Sequence, residues 1–437
     1  MQLLNTGSRR YQGPRSFAAR LRGRSVALIG TILAALMLAG STPANAAATV
    51  TATIPVGSSP REVAFTPDGS KAYVTNGEAR TVSVIDVVSD TVTSTIPVGV
   101  SPIDLAIAPD MSIAYVTSGD SDKVSVIDVT SGTVTSTITI GAAPFAVAFA
   151  PNGMTAYVTS GGSSSGTVSV IDVASGTVAS TIPVGPLPNA VAFAPDGSTA
   201  YVTNGQDSDM VSVIDVASGT WTSTIPVGSS PTDVAFTPDG SAAYTANNEG
   251  DSVSVIDVAS GRVTSTIPVG RAPDGVAIAP DGSEAYVTNS GADTVSIIGV
   301  ASNTVTSTVL SGAHPTGVAV SPDGSAAYVV NTISNTVSVI TVDAAPPVFT
   351  AATPPTKANT RTAYNYTFAA TAAPAPTFHV SSGALPAGLN LDTATGVLSG
   401  TPAKAGKFTF RVTAFNGVSP HAVTDRITIT VTKAKAR

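Results

Sequence analysis

Val63-Ala64-Phe65-Thr66-Pro67-Asp68-Gly69-Ser70-Lys71-Ala72-Tyr73-Val74-Thr75-Asn76 is a hairpin written in residue types. Pro67 presets φ, Asp68 has a side chain that bonds its local backbone, and Gly69 accepts positive φ, so the three together turn the chain. Short runs of β-branched and aromatic residues stand on both sides, without helical periodicity. Asn76-Gly77 then opens a polar loop and Thr81–Val87 makes a third run. Ser89-Asp90 turns again, and Thr91–Ile96 makes a fourth.

The unit recurs. Its turns begin at Pro67, Pro109, Pro151, Pro195, Pro238, Pro280 and Pro322, at spacings of 42, 42, 44, 43, 42 and 42 residues. Two copies depart from Pro-Asp-Gly: Met111 stands where the others have Gly, and Asn152 where they have Asp. A tyrosine follows each turn, at positions 73, 115, 157, 201, 244, 286 and 328. Four strands in a unit of this length make a propeller blade. Seven copies predict a seven-bladed β-propeller over residues 47–343. Residues 50–56 form a fourth-type strand ahead of the first unit, and the last unit stops after a third-type strand at 337–342. Pairing those two removes both edges and locks the ring, whereas an open solenoid leaves both unpaired.

Tyr73-Val74-Thr75-Asn76 and Tyr201-Val202-Thr203-Asn204, within the surrounding P-x-x-V-A-F-x-P-D-G-S-x-A-Y-V-T-N…V-S-V-I-D-V pattern, resemble the YVTN-repeat family of β-propellers (YncE-like, surface-layer type). The resemblance spans residues 50–342. It departs mildly at Tyr115-Val116-Thr117-Ser118, Tyr157-Val158-Thr159-Ser160, Tyr244-Thr245-Ala246-Asn247 and Tyr328-Val329-Val330-Asn331. It implies a secreted or surface-layer protein and no single activity, because the fold hosts many functions.

After Ala344-Ala345-Pro346-Pro347, read as a stiff linker, the period disappears. Residues 364–368, 408–412 and 426–431 alternate as half-buried strands. The segment Leu385–Pro402, with its glycines and prolines at turns, resembles the immunoglobulin-like (cadherin-like) domains of bacterial surface proteins. The expected fold class is therefore all-β, a seven-bladed β-propeller plus a small immunoglobulin-like β-sandwich over residues 348–432, with 433–437 a tail. The resemblance implies a spacer or adhesion role for the sandwich.

Residues 1–46 read as an export signal: six arginines without an acid, an apolar stretch from Val26 to Ala39, and Ala44-Asn45-Ala46 as a cleavage pattern. The stretch is short of the roughly 20 residues of a span, so no membrane span is expected after cleavage, and the localisation expected is extracellular or cell-surface. The chain has no cysteine, which excludes disulfides and thiol chemistry. Residues 47–345 carry 26 acidic and 6 basic side chains, a net of −20, whereas residues 346–437 carry 9 basic and 2 acidic, a net of +7. An acidic body repels phosphates, so no nucleic-acid partner is expected. The partners expected are a cell-wall polymer, a glycan or a surface protein, with the basic C-terminal part suited to anionic wall polymers.

Catalytic motifs are absent: there is no triad, HExxH, P-loop or dinucleotide fingerprint. The Asp of V-S-V-I-D-V, at 86, 128, 172, 215 and 257, recurs before its own turn and reads as a turn residue. Positions that differ between blades are better site candidates. Two residues after the loop proline stand Glu62, Asp104, Ala146, Ala190, Asp233, Gly275 and Gly317, and one residue after it Arg61 and Asp274 add charge. Nearby loops on the same end add Arg271, Asp207, Asn247 and further acids. The candidate ligand-binding residues are thus Glu62, Asp104, Asp233, Asp274, Arg61 and Arg271. Glu62, Asp104 and Asp233 are the candidate oxygen ligands for a hard cation such as Ca²⁺. Repetition without catalytic chemistry favours a binding or adhesion scaffold over an enzyme. The alternative is a lactonase-like hydrolase or metal-dependent lyase built on Glu62, Asp104, Asp233 and His314 at an acidic channel mouth. Trp221, in an outer strand, reads as an edge-packing residue far from that mouth.

Overall fold

The structure is a computed structural model, and it describes residues 48–141, 143–162, 165–205, 208–342, 345–373, 376–393, 395–415 and 421–433. The export-signal reading of residues 1–46, Asp207, Ala344 and residues 434–437 lie outside the described residues. Every helix or strand among the described residues is a strand, so the protein is all-β, and no helix there is long and apolar enough to cross a membrane.

The hairpin that opens the sequence pattern forms as its turn residues require. Thr66 N donates to Lys71 O (2.9 Å), Gly69 has φ +71°, and Asp68 Oδ1 accepts from Ser70 N (3.0 Å) and Thr66 Oγ1 (2.6 Å). Six consecutive antiparallel quartets follow along the chain, the first being Pro60–Phe65, Lys71–Asn76, Thr81–Asp86 and Thr91–Pro97. A seventh sheet holds Pro315–Val320, Ala327–Asn331 and Thr336–Val342, with Ala48–Pro55 as its outermost strand. In that pairing Ile54 lies opposite Val337 and Ala48 opposite Val342, across about 290 residues of sequence.

Each sheet buries its second and third strands almost completely. Ala72, Tyr73 and Val74, and their equivalents in the other sheets, are at most 5% exposed. Each innermost strand packs on the next, and the last, Pro315–Val320, packs on the first, Pro60–Phe65. Aromatic pairs mark the same order: Tyr115 on Phe149, Tyr157 on Phe193, Tyr201 on Phe236 and Tyr328 on Phe65, with ring centroids 4.6–4.7 Å apart. A buried aromatic of this size is worth about 3–5 kcal/mol against alanine, so the seams between sheets are the main hydrophobic store. Outer strands are exposed and bulged. In the first sheet the register slips between Val84 and Ile85, and Thr93 Oγ1 bonds Val84 O at 3.2 Å. Such bulges blunt edges that would otherwise pair with other chains.

The C-terminal region has its own core of Phe368, Phe378, Leu398, Phe410, Val412 and Ile429. It holds a five-stranded sheet (Lys357–Asn359, Ile427–Thr432, Gly406–Phe415, Thr377–Gly383 and Ala422–Val423) together with sheets of three and two strands. Ala345–Pro347, expected as linker, belong instead to the strand Ala345–Ala351, which pairs with Ala369–Ala373. Proline is tolerated there because a two-stranded pair leaves one side of each strand free of partners.

Candidate functional site

The candidate site is made by a corner repeated in every sheet. The residue before each loop proline (Ser59, Ser101, Ala143, Leu187, Ser230, Ala272 and His314) has φ between 46° and 57°. A left-handed residue followed by the fixed φ of proline bends the chain sharply, and it delivers the chain into the innermost strand. The next two residues of all seven innermost strands then line one cavity of about 290 Å³. The first set is Arg61, Ile103, Phe145, Asn189, Thr232, Asp274 and Thr316, and the second is Glu62, Asp104, Ala146, Ala190, Asp233, Gly275 and Gly317. Room for Glu62 comes from Gly317, where an added Cβ would lie 2.5 Å from Glu62 Oε1.

A belt of hydroxyls sits directly behind these residues. Thr159 Oγ1 accepts from Ala146 N in its own sheet (2.8 Å) and donates to Asn189 O in the next (3.1 Å). Thr75, Thr117, Thr203 and Thr288 do the same, reaching Ile103 O, Phe145 O, Thr232 O and Thr316 O. Two sheets lack this threonine, having Ala246 and Val330. There a threonine of the innermost strand substitutes: Thr232 Oγ1 donates to Asp274 O (2.7 Å), and Thr316 Oγ1 to Arg61 O (2.8 Å). Each of the seven sheets is thus tied to its neighbour by at least one hydroxyl, including the last to the first, where Thr332 Oγ1 also donates to Pro60 O (2.7 Å).

The innermost strands have one edge without a ladder partner, and its N–H groups point at the acids. Glu62 Oε1 accepts from Val63 N (3.0 Å). Asp104 accepts from Leu105 N (2.6 Å) and, across the seam, from Val147 N (2.7 Å). Asp233 accepts from Val234 N and, across the seam to the next sheet, from Val276 N, both at 2.8 Å. The solvent exposure of these carboxylates is intermediate, but protein surrounds them on nearly every side within the cavity.

Crowding decides their protonation. Burial, with the charges of Asp104 and Asp233, pushes Glu62 well above the usual carboxylate range. Burial raises Asp104 to about 7 against the pull of its two amide donors. Burial likewise raises Asp233 to about 6, with Asp274 adding to the rise. Asp274 is also raised by burial, while His314 and Arg61 pull it down.

Several sequence candidates are placed elsewhere. Arg271 and His314 do not line the cavity, though His314 is near enough to bias Asp274. Asn247 is fully buried and donates to Ser252 Oγ and Ser254 Oγ, so it clamps strands and does not reach the mouth. Trp221 is 39% exposed on its outer strand, with Nε1 bonded to Ser223 O. The repeated Asp residues serve their own turns, as with Asp86, which accepts from Ser89 N (2.9 Å) and Ser89 Oγ (2.7 Å). Glu62, Asp104 and Asp233 share the cavity, but both oxygens of each aspartate are turned onto N–H groups. No group of three or more His, Asp or Glu among the described residues is arranged to hold a metal. Sequence reading missed Phe145, Ile103 and Asn189 as lining residues, although each stands one position after a loop proline, as Arg61 does.

A family model described as YNCE-like beta-propeller matches residues 29–262, more than half of the chain. The chain belongs to the YNCE-like β-propeller family. The Putative Ig domain model matches residues 346–432, the region with the separate core. No curated protein matches the chain. Solved structures similar to it are numerous, 1215 chains, so the propeller fold by itself selects no activity. One is the Kuenenia stuttgartiensis Hydrazine Synthase structure, 27% identical with a TM-score of 0.61; the match covers 65% of this chain and 96% of that one. For this YNCE-like propeller, function has to be argued from the cavity and from the second domain.

Proposed function

We propose that the chain is an exported binding scaffold: a closed, seven-bladed propeller that takes a small organic cation at its ring-end cavity, joined to an immunoglobulin-like spacer or adhesion module. The seven four-stranded sheets and the cycle of threonine hydroxyls support the blade count. The six arginines, apolar stretch and Ala-Asn-Ala of residues 1–46 support export. One observation carries the ligand class: four carboxylates share the cavity, and Arg61 is the one basic residue lining it. An ammonium group would relieve their mutual repulsion, and Phe145 and Ile103 offer it an apolar flank.

Benzylamine, which has both features, is a suitable probe for calorimetry on the full chain. Binding should tighten at least tenfold from pH 5.5 to pH 8, as Asp104 and Asp233 lose their protons, and should vanish in Asp104→Asn/Asp233→Asn. Binding that is absent at pH 8, or unchanged in the double variant, would remove the cation reading.

A second reading is enzymatic, and it is favoured by Asp104 and Asp233 being held near neutrality, where a general base is most effective. Turnover of a simple lactone, abolished by Asp104→Asn, would move that reading ahead of binding alone.

A further inference from the structure

The immunoglobulin-like domain has a second surface with no part in the cavity. Phe410, Val412, Ile429 and Val431 of its five-stranded sheet point into the core. Side chains alternate along a strand, so the residues between them form the opposite, outward face. Register places Lys407 opposite Thr430 and Thr430 opposite Lys357, a row across three strands. Arg411 lies opposite Ser382 on the other side. At the end of the same strand Phe415 is 43% exposed, and its ring lies 4.6 Å from that of His421. None of the five strands contains Asp or Glu. Lys357, Lys407 and Arg411 are exposed and make no ion pair with a described residue.

Ordinary surfaces intersperse both signs of charge, so a sheet without acids, on a domain whose residues 348–432 carry a net of +4, points to an anionic partner. The spacing narrows the choice. Two strand intervals separate Lys357 from Lys407, about 10 Å, and four residues separate Lys407 from Arg411, about 13 Å. A nucleic-acid strand carries a charge about every 3.4 Å and is met by denser cations. Between the cations here stand Thr409, Thr428 and Thr430, with Ser382 beside Arg411 on its far side, hydroxyls suited to sugar hydroxyls, and Phe415 offers a flat apolar ring to the face of a sugar.

We propose that this face binds a linear anionic glycan whose charges are sparse along the chain, and that it is the contact by which the protein holds a wall polymer. The inference does not rest on the cavity. It is tested on the full-length chain by affinity electrophoresis in gels containing polygalacturonate, with neutral dextran and a thymidine oligonucleotide as parallel gels, and by sedimentation with phosphatidylglycerol vesicles. Polygalacturonate should retard the protein at low salt and dextran should not. The K357E/K407E/R411E variant should lose at least tenfold in affinity. Phe415→Ala should lose several-fold with the charge unchanged, a drop that simple ion exchange would not give. Thermal unfolding of both variants should match the parent. The proposal is overturned by a protein that polygalacturonate does not retard, by a triple variant retarded like the parent, or by tighter binding to the oligonucleotide or the vesicles. Each of those results leaves the benzylamine experiment as informative as before.

Discussion

The threonine belt and the acidic mouth are joined by hydrogen bonds, as where Glu62 N donates to Thr75 Oγ1 (3.0 Å), and they follow opposite rules. In the belt the hydroxyl link is kept at all seven seams, and where Ala246 or Val330 breaks the pattern, Thr232 or Thr316 restores the same bond from another strand. At the mouth nothing is kept: Glu62, Asp104 and Asp233 alternate with alanine and glycine. The belt is uniform because each seam has the same carbonyl to satisfy, and a buried group left unpaired costs about 1–3 kcal/mol. The mouth is free to vary because a side chain pointing into the cavity answers to a ligand and not to a neighbouring sheet.

The strongest way to break that contrast is Thr159→Val. The shape is conserved but the hydroxyl is lost, which leaves Ala146 N and Asn189 O without partners. Two buried groups together should cost about 2–4 kcal/mol, read as a lower denaturant midpoint at unchanged m-value. Val330→Thr, at a seam already tied by Thr316, should gain little. If the two substitutions had equal and small effects, the belt would not be what holds the seams.

The mouth should respond to pH where the belt does not. Asp104 and Asp233 have folded-state values raised to about 7 and about 6, above the roughly 3.9 of an unfolded aspartate. The folded state therefore holds protons that the unfolded state has released, and stability falls as pH rises. The contribution is complete below about pH 4 and is lost by about pH 7–8. Melting temperature measured from pH 5 to pH 8 should fall by several degrees, and Asp104→Asn/Asp233→Asn should flatten the profile. A melting temperature that rises over this range would mean that the carboxylates are stabilised as anions, contrary to their crowding.

What the sequence made legible tracks the range of each interaction. The turns, the strands and the self-serving Asp86 depend on partners within five residues, and residue types alone foretell them. The all-β class follows from those local signals repeated. The belt was not legible, because Thr75 meets Ile103 O only when 28 residues have wound into a neighbouring sheet. Nor was it legible that Asp104 reaches Val147 N, 43 residues on, so that its second oxygen, like its first, accepts from an amide. Asn247 misled for a different reason: its partners Ser252 and Ser254 are only 5 and 7 residues away, but a polar residue at a strand end looks like a loop residue unless it is seen to be buried. Phe145 and Ile103 carry no charge to mark them, and only their position after the loop proline places them in the cavity.

Uniformity can also be sharpened where it lapses. Met111 occupies the third turn position at φ +60°, where Gly69, Gly153, Gly197, Gly240, Gly282 and Gly324 have φ of 70–73°. A side chain in the left-handed region costs about 1–2 kcal/mol, because Cβ crowds the following carbonyl oxygen. Glycine removes that clash but is freer in the unfolded chain, which returns about 0.5–1 kcal/mol. Met111→Gly should therefore stabilise by about 0.5–1 kcal/mol, the smallest of the three effects, visible as a rise of a few degrees in melting temperature at any pH. Because the turn lies among repeated positions, the gain should add independently to the loss from Thr159→Val, and it should leave the pH profile set by Asp104 and Asp233 unmoved. Coupling between Met111 and that profile would mean that the repeated and the variable parts of the ring do not act separately.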